Sequence, residues 1–171
     1  MDNIFTTLWE SPQKNRMGEP FLSVKSWDNR YYFSERAGVD SIAFVLYDHR
    51  TNKYGLVREF KCPINEFRAS AFGGSLDSDE DMLEIVIAEC REEAGFVVSF
   101  EDIRTLGKVL VSTQSNQHCY LYMVEVDIRK QVEPQPENDM EALATVEWFS
   151  QDEVNHIEDW KAITIIVKSY L

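Results

Sequence analysis

No apolar run in this chain of 171 residues approaches the length of about 18 that a membrane-crossing helix requires. The longest are short stretches such as 42–47 and 163–167. Met1-Asp2-Asn3 opens the chain with neither the basic nor the apolar segment of a secretory leader, so a soluble, cytoplasmic protein is expected. Cysteine is equally sparse. Cys62, Cys90 and Cys119 are odd in number and have no CxxC spacing, which argues against a secreted disulfide framework and a structural zinc site and favours a reducing compartment. Positive charge is short as well, with 17 Lys and Arg against 30 Asp and Glu and a net charge of −13. A duplex nucleic-acid reader or an anionic-membrane binder needs a basic face, and neither is expected here. Internal repeats and low-complexity tracts are absent. What remains is one globular domain over 1–171, large enough to bury a core without staples.

The acidity is concentrated. Residues 77–93 hold eight acids against Arg91 alone, and residues 133–153 hold seven with no Lys or Arg. Outside these windows the charges nearly balance. Two solvated faces are the ordinary reading of such runs; the sharper one is that both patches meet around divalent cations.

Periodicity places the elements. Residues 1–20, with Pro12, Gly18 and Pro20, read as an irregular arm, and 21–25 and 30–34 read as short strands around Asp28-Asn29. Residues 41–47 and 54–60 form a hairpin pattern across a turn at 48–52. Pro63 and Asn65 break it, and Phe72-Gly73-Gly74 marks a close turn. Strands are expected over 102–111, 119–127 and 145–149. A polar connection covers 112–117, an acidic loop 131–140, and a helix most of 153–170. Strands between helices indicate an α/β layered fold.

The clearest helix spans 78–94. Met82, Leu83, Val86, Ile87, Cys90 and Ala94 fall within an arc of about 140°, the stripe of a core-facing helix. Gly95 ends it. Glu89, Glu92 and Glu93 crowd one flank of that stripe. Like charges at such spacings cost about 0.2–0.5 kcal/mol per pair even when exposed, and burial raises the cost. A hard cation that prefers oxygen ligands, Mg²⁺ or Mn²⁺, offsets the repulsion and couples it to phosphate chemistry through an activated water.

The segment Gly74-x5-Glu80-x7-Ala88-Glu89-Cys90-Arg91-Glu92-Glu93-Ala94-Gly95-Phe96 resembles the box of the Nudix hydrolases, Gly-x5-Glu-x7-Arg-Glu-U-x-Glu-Glu-x-Gly-U with U a bulky aliphatic. Six of the seven fixed Gly, Glu and Arg positions match. Leu56-Val57-Arg58-Glu59-Phe60-Lys61-Cys62-Pro63 is similar to a strand of the members that act on ADP-ribose and nucleotide sugars. The aromatic segment at 1–35 is similar to one those members use to pair two subunits.

The resemblance implies a Nudix-type α/β/α sandwich with a mixed sheet and a loop–helix–loop motif, and hydrolysis of a pyrophosphate bond in a small nucleotide substrate. Glu89, Glu92 and Glu93 would hold the metal with the carbonyl of Gly73. Glu92, Glu93 and a later acid would be catalytic; Glu141 comes first for that acid, with Glu137 and Asp139 behind it. Gly74, Glu80 and Gly95 would be supporting residues. Arg58, Lys61 and Arg68 read either as phosphate contacts or as surface cations. Trp27, Tyr31, Tyr32 and Phe33 read as base-stacking residues, a homodimer interface or core. The chain departs from the box at Ala88, where the family has a bracing Arg; Arg91 is then a partial substitute or a surface charge. Residues 112–115 also lack the Ser-Pro-Gly of many ADP-ribose enzymes. The alternatives are a non-catalytic nucleotide-binding domain, an acidic protein-interaction module with a structural metal, or a hydrolase of dinucleoside polyphosphates, NAD or capped RNA.

Overall fold

The computed structural model of the chain describes residues 5–15, 18–36, 39–76, 80–136, 138 and 141–171. Strands β1 (Phe5–Glu10), β2 (Ser23–Trp27) and β3 (Tyr31–Glu35) make a three-stranded antiparallel sheet. The arm expected to be irregular thus contains a strand. Phe5-Thr6-Thr7-Leu8-Trp9 is β-branched and aromatic, and it pairs with β2 across a register shift between Thr7 and Trp9. Asp28 and Asn29 turn the next hairpin with positive φ, as their residue types allow.

The second sheet is mixed. Strands β4 (Ser41–Asp48), β5 (Lys53–Lys61), β6 (Glu66–Ser70), β7 (Phe72–Ser75), β8 (Ile103–Leu110), β9 (His118–Glu125) and β10 (Thr145–Ser150) run in the order β10-β5-β4-β9-β8, with β6 on β5 and β7 on β4. Among the described strands of this sheet only β4 and β9 pair in parallel. Strand β4 is an apolar run because it is buried on both faces. Its Ile42, Phe44 and Leu46 join one core cluster, and Ala43 and Val45 the other.

The two helices cover these two faces. Helix α1 (Met82–Glu92), capped by the Asp81 side chain on the Leu83 N–H, packs Ile85, Val86 and Cys90 against Phe44 and Phe72. Ile85 takes the buried place expected of Ile87, which turns the stripe so that Glu89 and Glu93 lie beside it. Helix α2 (Trp160–Ser169) buries Ala162, Ile165 and Ile166 on the opposite face. The result is the α/β/α sandwich. Among the described residues no helix is long and apolar enough to cross a membrane.

The single helix expected over 153–170 is divided. Ser150 and Glu153 form a capping box that starts a 3₁₀ segment, Gln151–His156. Buried Ile157 then breaks the helical path, and Asp159 caps α2 afresh. The Asp159 carboxylate accepts from Ala162 N at 3.1 Å and from Ala71 N at 2.9 Å, so one side chain ties α2 to the connection between β6 and β7. Asp159→Ala is expected to lower unfolding free energy by about 2 kcal/mol. Urea denaturation checks this, with Asp159→Asn retaining most of the stability.

Candidate active site

The sheet splits where the site forms. Strands β4 and β5 pair only through Leu46–Asp48 and Lys53–Gly55; farther along, β7 takes the edge of β4 and β6 that of β5. A cleft of about 850 Å³ opens between the diverging pairs.

Strand β7 is the segment expected to be a close turn. It is a strand because its glycines serve close approach rather than reversal. A Cβ on Gly74 would stand 2.4 Å from Glu89 Oε1, so the Glu89 side chain lies directly over that backbone. Gly95 is the residue that needs left-handed backbone, with φ +72° just beyond the end of α1.

The cleft gathers Gly73, Gly74, Glu80, Glu89, Glu92, Glu93 and Glu141. Both acidic patches of the sequence therefore contribute to one site. Glu141 stands at the start of a short 3₁₀ segment, where its N–H donates to Asn138 Oδ1 at 3.1 Å. Glu137 and Asp139 lie outside the described residues.

Glu93 carries the electrostatic consequence. Burial, followed by the charges of Glu89, Glu59 and Glu141, pushes its carboxyl up to about 8, while the Gly73 backbone N–H pulls the other way. Its Oε2 is buried and has no hydrogen-bond partner. A buried oxygen of this kind is costly unless a cation or donor meets it. That atom, surrounded by further carboxylates, fits a hard divalent cation. Among the described residues no three His, Cys, Asp or Glu side chains already stand at the spacing of a finished metal site.

Of the expected phosphate contacts, Lys61 lines the cleft and pairs with Glu59. Arg58 does not. Strand alternation puts it on the face opposite Val57, Glu59 and Lys61, where it pairs with Glu147 at 3.2 Å. Arg68 pairs with Glu66 and, at 3.6 Å, with Glu158, also outside the lining. Arg91 sits in the last turn of α1, away from the cleft, where a positive charge complements the helix dipole. Ala88 does line the cleft.

Among the lining residues without a role in the sequence motif, Arg36, Glu59, Lys161 and Gln117 carry charged or amide side chains. Glu59 was legible, since it shares strand parity with Lys61 and Val57. It accepts from Ser70 Oγ at 3.1 Å as well as from Lys61. The other three come from segments remote in sequence and have no local signal.

The model of the NUDIX domain matches residues 39–168. No curated protein matches the chain in sequence. Among solved structures the fold is similar to that of a protein described as an ADP compounds hydrolase, with a TM-score of 0.68 and 15% identity over 97% of this chain and 92% of that one. The matched segment holds the box helix, the split sheet and nearly all of the cleft, and the chain belongs to the Nudix family of pyrophosphohydrolases.

Proposed function

We propose that this protein hydrolyses the pyrophosphate bond of a nucleoside diphosphate joined to a further moiety, ADP-ribose or a nucleotide sugar foremost, with Mg²⁺ or Mn²⁺. The observation that carries the reading is the unpartnered buried oxygen of Glu93 within a cleft that also holds Glu59, Glu89, Glu92 and Glu141. The likeness in fold to a hydrolase of ADP compounds supports the ADP-containing class.

Glu89, Glu92 and Glu93, with the Gly73 carbonyl, are the residues to hold the cation. When bound, it supplies Lewis-acid polarisation of a phosphoryl oxygen and a more acidic water. Glu141, which enters the cleft from outside α1, is the group to take the proton of the attacking water. Lys61, with Arg36 and Lys161 on the same cleft, offers the positive charge that diphosphate oxygens need in a site so acidic. Glu80 lines the cleft at the start of the motif, Gly74 leaves room for Glu89, and Gly95 permits the backbone turn that ends α1.

The second reading, a binding domain without turnover, rests on Ala88, which leaves the cleft wall without the family's arginine. Product release from a panel of ADP-ribose, sugar nucleotides, dinucleoside polyphosphates, NAD and nucleoside triphosphates separates the two. Turnover of one class establishes the hydrolase. Tight binding with every compound intact establishes the binder.

The reading includes a homodimer paired through β1–β3. Phe5, Leu8, Trp9, Trp27, Tyr31 and Tyr32 are all exposed on that sheet, an apolar surface of the kind that marks an interface. Sedimentation is expected to give twice the chain mass, and Trp9→Glu to give the monomer. The three free cysteines, two of them buried, suit a reducing cytoplasm.

A further inference from the structure

We infer that Gln117 is a specificity-determining residue that recognises a hydroxyl of the sugar beyond the diphosphate. The inference rests on the nucleotide-substrate reading above and deepens it. Gln117 is only 7% exposed, yet it lines the cleft, and its Nε2 has no hydrogen-bond partner. A buried amide nitrogen without a partner is costly. Nothing in the fold requires an amide there, because an apolar side chain of the same length would fill the space without that cost.

The backbone around it is held firmly. Gln117 N donates to Ser115 Oγ at 3.2 Å, and Gln117 O accepts from Val111 N at 2.9 Å. The neighbouring Asn116 side chain grips Arg36 on both sides, accepting from its N–H at 3.1 Å and donating to its carbonyl at 3.3 Å. The residue is thus held at its backbone, while the terminal sp³–sp² torsion of its carboxamide has a broad preference. A small rotation presents it to a group in the cleft.

Chemistry selects the group. A carboxamide both donates and accepts, which matches a hydroxyl, itself donor and acceptor. Phosphate oxygens only accept, and the cleft already offers them the cations Lys61, Lys161 and Arg36. The neutral amide therefore marks where the neutral, hydroxyl-bearing part of the substrate lies. A nucleoside triphosphate has no such part beyond its phosphates.

The test compares binding of ADP-ribose and ADP by calorimetry, with Ca²⁺ as the oxygen-seeking cation, for the wild type and for Gln117→Met, which keeps length and shape. The wild type should bind ADP-ribose about tenfold more tightly than ADP. Gln117→Met should lose that preference with its affinity for ADP unchanged. From the ligand side, ADP-ribose analogues lacking one sugar hydroxyl at a time should include one that the wild type binds about tenfold more weakly and that Gln117→Met binds no differently from ADP-ribose. A preference intact in the variant, or absent in the wild type, overturns the inference. Bond cleavage in Mg²⁺ is read separately. Cleavage with no Gln117 effect removes this inference and leaves the reaction; the Gln117 effect without cleavage removes the reaction and leaves the recognition.

Discussion

Glu93→Gln is expected to lower turnover by about 10²–10⁴-fold, the range for removing a group that acts directly on the reacting centre. The same substitution should stabilise the metal-free protein in alkaline solution. The folded-state pKa of Glu93 is raised from 4.5 to about 8. Stability contributed by the protonated form is therefore complete below pH 4.5 and lost as pH rises through 8. Glutamine does not ionise and loses nothing. In a chelator at about pH 9 the variant should exceed the wild type by on the order of 2 kcal/mol, or several degrees in Tm, and the two should converge near about pH 4. Added Mg²⁺ should reverse the order in alkaline solution, since a cation that binds only the native wild type raises its stability by mass action. Differential scanning calorimetry across pH, with and without metal, reads all of these effects. A variant less stable than the wild type at every pH would mean that Glu93 is held by contacts rather than strained by its neighbours.

Gly74→Ala is expected to cut kcat by about 10–100-fold, the range for disturbing the support of a ligand rather than the ligand itself. The added methyl would meet Glu89 Oε1 at 2.4 Å, and a flexible side chain yields before a strand backbone does. Glu89 should move, the concentration of Mg²⁺ giving half-maximal activity should rise, and Tm should change little. The β4–β7 ladder that carries Gly74 pairs it with Ile42 and does not depend on Glu89. A metal titration of activity beside a thermal melt distinguishes this from general damage, which would lower Tm with no change in the metal requirement.

The parts of the molecule that follow from local pattern were legible in the sequence. Helix α1, its acidic flank, the β4–β5 hairpin and the break at Pro63 and Asn65 all depend on residues within a few positions of one another. The glycines at 73 and 74 were legible as special but not as strand. Their role is set by Glu89, well beyond Gly74 in the chain, and only the packing of α1 against β7 brings that side chain over the backbone. Strand β6 was hidden behind Pro63 and Asn65, where the chain stops and then returns along β5 with Lys61 opposite Glu66. The cleft itself was half legible. The box names its acidic wall, but its cations depend on strand parity and on chain ends meeting. Lys61 faces inward and Arg58 outward for the first reason. Arg36 and Gln117 converge for the second, since the parallel pairing of β4 with β9 brings the segments before both strands together, and Lys161 joins them from the start of α2.

The most direct test of the proposed reaction is product release from ADP-ribose by the full chain in ¹⁸O-water, with Mg²⁺ or Mn²⁺ and then with excess chelator. The expected result is AMP and ribose phosphate in equal amounts, a single ¹⁸O in one of the two phosphates, and no product in chelator. ADP-ribose that binds in the presence of metal but stays intact at stoichiometric protein would contradict the hydrolase, and would make the alanine at position 88, where the family has arginine, the decisive feature of a domain that binds nucleotides without cleaving them.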